Sequence, residues 1–267
     1  MGIKKMEIQA AVAKIGKYAT SESGDTVEMI ERPHGGISLV MADGQRSGRP
    51  AKAISNVVVR KALSLLAEGV RDGAAARATH DYLFTYRRGK VLATLNILSV
   101  DFQTKTVVLS RNSHCPVVVA TPAGLQVLDE PSRSVGVHRG TKPVITELPI
   151  TPGTYVVAFT DGIATAGERS PEGPLDVAEC VANFLNLGAA STKDIGAQAE
   201  ASAGVDVEAP GLGANALAEA IIYRAMALDN GRPRDDMTVV VVAILPRVVD
   251  DDVRHLIVRF PIPPVVG

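Results

Sequence analysis

An apolar run, Ile37 to Ala42, stops abruptly at Asp43-Gly44. A small-residue turn follows, Gln45-Arg46-Ser47-Gly48-Arg49, and then a helix opens around Pro50. The run is too short for a helix and reads as a buried strand. Proline suits the first turn of a helix, which places Ser47 or Gly48 near the cap. Asp43 therefore sits where a strand ends and a loop opens above a sheet. The scaffold fixes such a carboxylate while solvent still reaches it, which suits a cation. The chain repeats the arrangement. Asp161-Gly162 follows the run Tyr155 to Phe159, and Asp235-Asp236 opens the run Val239 to Leu245. Gly24-Asp25 precedes a further short strand.

The rest of the chain supplies a scaffold for these acids. Met6 to Val12 and Thr26 to Ile30 read as strands, with Gly35-Gly36 as a hairpin turn before the Ile37 strand. A helix is expected from 50 to about 70, with Ile54, Val58, Ala62, Leu65 and Leu66 on one face. A second is expected over about 73 to 87, with Asp72 as its cap and Arg87-Arg88-Gly89 closing it. Residues 91 to 160 read as β structure: Val91 to Val100, Thr106 to Leu109, Val117 to Ala120, Leu125 to Leu128, a turn over Pro149 to Gly153, then the Tyr155 strand. Consecutive strands with short turns imply antiparallel pairing. Helices are expected over 174–188 and 214–229, and a strand over Met237 to Leu245. The Ala, Gly and Ser-rich stretch 188–213 reads as a loop or weak helix, a flap or docking surface near the site. His255 to Phe260 reads as one more strand, and Asp250 to Asp252 as a solvated turn. Without an internal repeat or a dividing linker, the expectation is one α+β domain over 1–267, with a core of about 6–246 and an extension over 247–267.

Composition narrows the function classes. The 267 residues carry 28 Lys+Arg against 29 Asp+Glu, a net charge of −1. No basic excess points to nucleic acid or to an anionic membrane. The longest apolar run is far below the roughly 20 residues that span a bilayer. Lys4 and Lys5 are not followed by an apolar signal segment. Two cysteines, Cys115 and Cys180, are too few for a disulfide framework, and the reading is a reduced, cytoplasmic protein.

Carboxylates beside glycines suit hard cations such as Mg²⁺ and Mn²⁺, which take oxygen ligands and keep several waters. Asp25, Asp43, Asp161, Asp235 and Asp236 are the candidate ligands, and Gly44 lets its own carbonyl approach the ion. Two adjacent cations clamp a phosphoryl group and activate a water, with no need for a nucleophilic side chain. The five histidines show no zinc spacing, and residues 44–48 lack the Lys-Ser/Thr ending of a Walker loop. An isolated Asp-Gly is most often only a turn. His114-Cys115 has no partner motif and reads as a packed turn.

The ordered set resembles the PPM-type metal-dependent Ser/Thr protein phosphatases, in their SpoIIE-like bacterial branch. The resemblance covers roughly 6 to 246. Ser23-Gly24-Asp25 resembles the first acidic motif of that family, and Ala42-Asp43-Gly44-Gln45-Arg46-Ser47-Gly48-Arg49 is similar to its A-D-G-x-x-S-G-R motif. Phe159-Thr160-Asp161-Gly162-Ile163 fits [ST]-D-G, and Asp235-Asp236-Met237-Thr238-Val239-Val240 fits the final D-D-[IM]-T-[VL]-V. The resemblance implies a four-layer α-β-β-α sandwich of two antiparallel sheets, with two Mn²⁺ or Mg²⁺ ions between them. Asp43 would bridge both ions and the Gly44 carbonyl would bind one. Asp161 and Asp235 would bind the other, and Asp25 would hold a metal-bound water or a ligand position. Asp236 would lie behind Asp235. Asp43, Asp161 and Asp235 would form the catalytic set. Arg111 to Pro116 departs from the N-A-G-H-P-P of many relatives at Arg111 and Ser113. The implied substrate is a phosphoserine or phosphothreonine on a regulatory protein, such as an anti-sigma-factor antagonist. The alternatives are a phosphoprotein-binding module without turnover and a small-molecule phosphohydrolase.

Overall fold

The computed structural model describes residues 5–187, 213–247 and 253–259. In chain order, β1 (Met6–Ile15), β2 (Asp25–Glu31) and β3 (Gly36–Asp43) lead into α1 (Gly48–Ala67) and α2 (Asp72–Arg87). Then come β4 (Leu95–Asp101), β5 (Thr106–Asn112), β6 (Val117–Thr121), β7 (Gly124–Leu128), β8 (Val144–Pro149) and β9 (Thr154–Phe159). The short α3 (Asp161–Ala164), α4 (Val177–Phe184), α5 (Ala214–Leu228) and β10 (Met237–Pro246) complete the described elements.

The strands form two five-stranded antiparallel sheets. One has the order β1-β10-β9-β6-β7 and the other β2-β3-β4-β5-β8. The period of two residues along each strand explains their stacking. In β10, Val239, Val241 and Ala243 join α4 and α5 in one core, while Val240, Val242 and Ile244 face the other sheet. In β3, Val40 and Ala42 pack with α1 and α2, while Leu39 and Met41 face inward. Such strands are buried on both faces, which is why they read as unbroken apolar runs. The result is the expected α-β-β-α sandwich. No helix among the described residues is long and apolar enough to cross a membrane.

Several boundaries differ from expectation. Strand β4 starts at Leu95, not Val91, because residues 92–94 are pinned across the exit of β3. Gln45 N donates to the Leu92 carbonyl at 3.1 Å, and Thr94 N donates to the Asp43 carbonyl at 2.9 Å. Strand β8 was not expected, since Pro143 and Pro149 bracket it; as an edge strand it tolerates the missing donor. Helix α4 is shorter than 174–188, and it starts where the Asp176 carboxylate accepts from Glu179 N at 3.0 Å.

Asp72 is not the cap of α2. Arg71 holds that position and Asp72 is the first helical residue. Its carboxylate turns inward, 3.0 Å from Arg32 Nη1, and accepts from the Ser99 hydroxyl. The buried guanidinium requires this acid more than the helix end does. Residues 253–259 are exposed and outside any strand, so the strand expected there is absent over the described part. Phe260, the Asp250 to Asp252 turn and residues 188–212 lie outside the described residues; Gly213 precedes α5 as its cap residue.

Candidate metal centre

Antiparallel pairing gathers the acids at one end of both sheets. Asp25 at the start of β2 is the register partner of Asp43 at the end of β3. In the other sheet the end of β9 pairs with the start of β10, Phe159 opposite Val239. Asp161 stands two residues past the end of β9, after Thr160, and Asp235 stands two residues before the start of β10, ahead of Asp236. Two threonines join the sheets across this end. Thr160 Oγ1 donates to Asp25 Oδ2 at 3.1 Å, and Thr238 Oγ1 donates to the same oxygen at 2.5 Å. Asp25 Oδ1 is buried and has no partner among the described residues.

The adjacent aspartates part company. Asp236 is buried, and both its oxygens are taken by backbone: Lys17 N donates to Oδ1 at 2.9 Å and Gly24 N to Oδ2 at 2.7 Å. Asp235 is half-exposed and faces the cleft, 3.9 Å from Lys17 Nζ. Three glycines let these segments close up. A Cβ on Gly44 would stand 2.0 Å from the Ala51 carbonyl oxygen, and one on Gly162 would stand 2.2 Å from that of Asp236. At Gly24 it would meet the Ala51 methyl at 2.8 Å.

Electrostatically the centre is overloaded with negative charge. Burial first, then Asp25 and Asp161, push the Asp43 carboxyl up to about 9. Burial likewise raises Asp25 to about 6, against the pull of Thr238 and Lys14. Asp161 is raised by burial and by Asp235. Lys14 Nζ and Lys52 Nζ both donate to the Asp25 backbone carbonyl, at 2.5 and 2.7 Å. They bring positive charge to the rear of the centre. Neither lysine stands out in the sequence as a site residue, and Thr160 and Thr238 stand there only as motif positions without a role.

A cleft of about 420 Å³ opens over Asp43, Asp161 and Asp235, with Lys17, Arg46 and His114 on its walls. His114 is not the packed residue its sequence context suggests. Its side chain is 60% exposed and Nε2 lies 3.8 Å from Asp161 Oδ2. Arg111, which departs from the expected motif, anchors this loop by donating to the Ser113 carbonyl at 2.9 Å and to that of Glu130. Cys115 beside it is buried and its thiol is pushed up to about 12, which removes it as a nucleophile.

These residues fit hard divalent cations. The donors are all oxygen, one buried carboxylate oxygen is unmatched, and the carboxylates repel one another without a counter-charge. Among the described residues no three acidic, His or Cys side chains close on one point. An ion that keeps several waters has no need of such a cage.

A profile of the stage II sporulation protein E (SpoIIE) family matches residues 33–245. The chain belongs to the SpoIIE family. Solved structures share the fold of this SpoIIE-family chain. The PP2C phosphatase domain with a regulatory fragment of SpoIIE from Bacillus subtilis gives a TM-score of 0.70 at 16% identity. That likeness covers 91% of this chain, which spans only 65% of that one. RsbX in complex with magnesium gives 0.61 at 16% identity, over 90% of this chain and 98% of that one. The catalytic domain of the serine/threonine phosphatase PstP with two manganese ions gives 0.57 at 15%, over 90% and 100%. At such identities the likeness speaks for the fold, that of the PP2C phosphatases. Comparison with curated proteins gives no match.

Proposed function

We propose that this SpoIIE-family chain is a Mn²⁺- or Mg²⁺-dependent protein phosphatase. It would hydrolyse phosphoserine or phosphothreonine on a regulatory protein such as an anti-sigma-factor antagonist. The observation that carries the reading is the pairing of Asp25 with Asp43 at one end of a cleft that also holds Asp161 and Asp235. Asp43, the Gly44 carbonyl, Asp161 and Asp235 would hold two ions, with Asp25 behind Asp43. Bound there, the ions lower the pKa of a coordinated water and neutralise phosphoryl oxygens.

The chain's own residues prepare that site. Thr160 and Thr238 fix one oxygen of Asp25 by donating to it, which leaves the other buried and unmatched. Asp236 ties the loops at Lys17 and Gly24 to the start of β10 and so aims Asp235 outward. It serves as a positioning residue, in place of the ligand position the sequence also allowed it.

The test is hydrolysis of p-nitrophenyl phosphate and of a phosphoserine peptide with Mn²⁺, with EDTA, and with Asp43→Asn. Release that needs Mn²⁺ and is lost in both controls supports the reading. Metal binding without release from wild type would turn it towards a phosphoprotein-binding module. Release from p-nitrophenyl phosphate alone would favour a small-molecule substrate.

A further inference from the structure

Three basic side chains line the cleft over the carboxylates: Lys17, His114 and Arg46. Two of them face an acid. Lys17 Nζ lies 3.9 Å from Asp235 Oδ1, and His114 Nε2 lies 3.8 Å from Asp161 Oδ2. Arg46 has no hydrogen-bond or ion-pair partner for its guanidinium among the described residues, although its backbone is held on both sides. Gln45 N before it donates to the Leu92 carbonyl, and Ser47 after it is the cap residue of α1. The residue sits at φ 77°, a left-handed conformation that glycine adopts freely and arginine only at a cost of roughly 1–2 kcal/mol. The chain thus keeps a long cation at a backbone position better suited to glycine, on the wall of a cleft lined by acids. A guanidinium presents parallel N–H donors that match two oxygens of one phosphate, which a lysine ammonium does not.

We propose that Arg46 grips the phosphate of the substrate. It makes the cleft favour a dianionic phosphomonoester over a phosphodiester, whose single negative charge draws the guanidinium less strongly. The inference rests on the phosphatase reading for what carries the phosphate, while the grip on the anion is measurable apart from turnover.

The experiment titrates inorganic phosphate into the full chain with saturating Mn²⁺ by calorimetry, for wild type, Arg46→Met and Arg46→Lys. Loss of a charge-assisted pair should weaken phosphate binding roughly tenfold or more in Arg46→Met, with partial recovery in Arg46→Lys. Kinetics on p-nitrophenyl phosphate should show the loss mainly in KM, and bis-p-nitrophenyl phosphate should be affected less. Equal phosphate affinity in wild type and Arg46→Met overturns the inference, and so does the absence of phosphate binding by wild type. If wild type hydrolyses nothing yet loses phosphate affinity on Arg46→Met, the grip stands and the catalytic reading fails. If wild type hydrolyses the monoester and Arg46→Met binds phosphate unchanged, catalysis stands and the grip fails.

Discussion

Asp25 and Asp43 are register partners at the open end of the β2–β3 ladder, with Asp25 fully buried. Like charges placed directly opposite on a sheet repel. A hairpin that ends on two such carboxylates, with Asp161 beside them, is stable at neutral pH only with protons or cations in the gap.

Replacing Asp43 by Asn removes the charge at the middle of the cluster. Mn²⁺-dependent hydrolysis should fall by roughly a thousandfold, the worth of several kcal/mol of lost charge stabilisation. The midpoint of thermal unfolding in EDTA should hold or rise, because Asn has no carboxyl that must take up a proton to be buried there. Its rise on adding Mn²⁺ should vanish. Near-wild-type turnover would sink the mechanism.

The neighbouring aspartates should separate cleanly. Asp236→Ala strands two backbone N–H groups and should cost about 3 kcal/mol in urea unfolding with EDTA present. Asp235→Asn alters a half-exposed side chain and should change that stability by less than about 0.5 kcal/mol. It should instead raise the Mn²⁺ concentration needed for half-maximal activity. The opposite assignment of effects would exchange their roles.

Gly44→Ala drives a methyl into the Ala51 carbonyl, a clash with backbone that no rotamer relieves. Helix α1 must then shift away from β3. A loss of about 3 kcal/mol is expected from such overpacking, read as a lower urea midpoint. An unchanged midpoint would mean that α1 is not seated on that turn.

The metal-free protein should lose stability as pH rises. Burial raises the carboxyls of folded Asp25 and Asp43 to about 6 and about 9, from 3.8 for an ordinary aspartate. The folded state therefore holds more protons than the unfolded chain between those limits. The stability from these groups is complete below pH 3.8 and is lost as pH climbs through 6 and then 9. Urea midpoints in EDTA should drop from pH 6 to pH 9. Mn²⁺ must displace the same protons, so its affinity should grow over that range. A midpoint in EDTA that climbs with pH would contradict the burial of this pair.

Asp72→Ser keeps a cap-competent side chain at the start of α2 but leaves Arg32 buried without its acid. The expected cost is about 3 kcal/mol by urea unfolding. A change of a few tenths would restore the capping role that the sequence suggested.

Much of the centre was legible because its signals are local. Asp43-Gly44 and Asp161-Gly162 each follow a continuous apolar run, and Asp235 opens one just before β10. Strands buried on both faces have to read that way, so their ends are easy to find. β8 hid behind its prolines, since an edge strand needs neither continuous apolarity nor every N–H donor. His114 looked like a packed turn because its neighbour Cys115 is one.

Sequence alone determined where β3, β9 and β10 meet the acids, because side-chain period and turn chemistry act over a few positions. Tertiary structure decided what each residue does. Thr238 reaches Asp25 across 213 positions, and Asp236 reaches Gly24 across 212. Asp235 and Asp236 are chemically identical neighbours. One faces the cleft and the other holds two loops, because only the closing of the two sheets sets which carboxylate meets buried N–H groups and which is left for a cation.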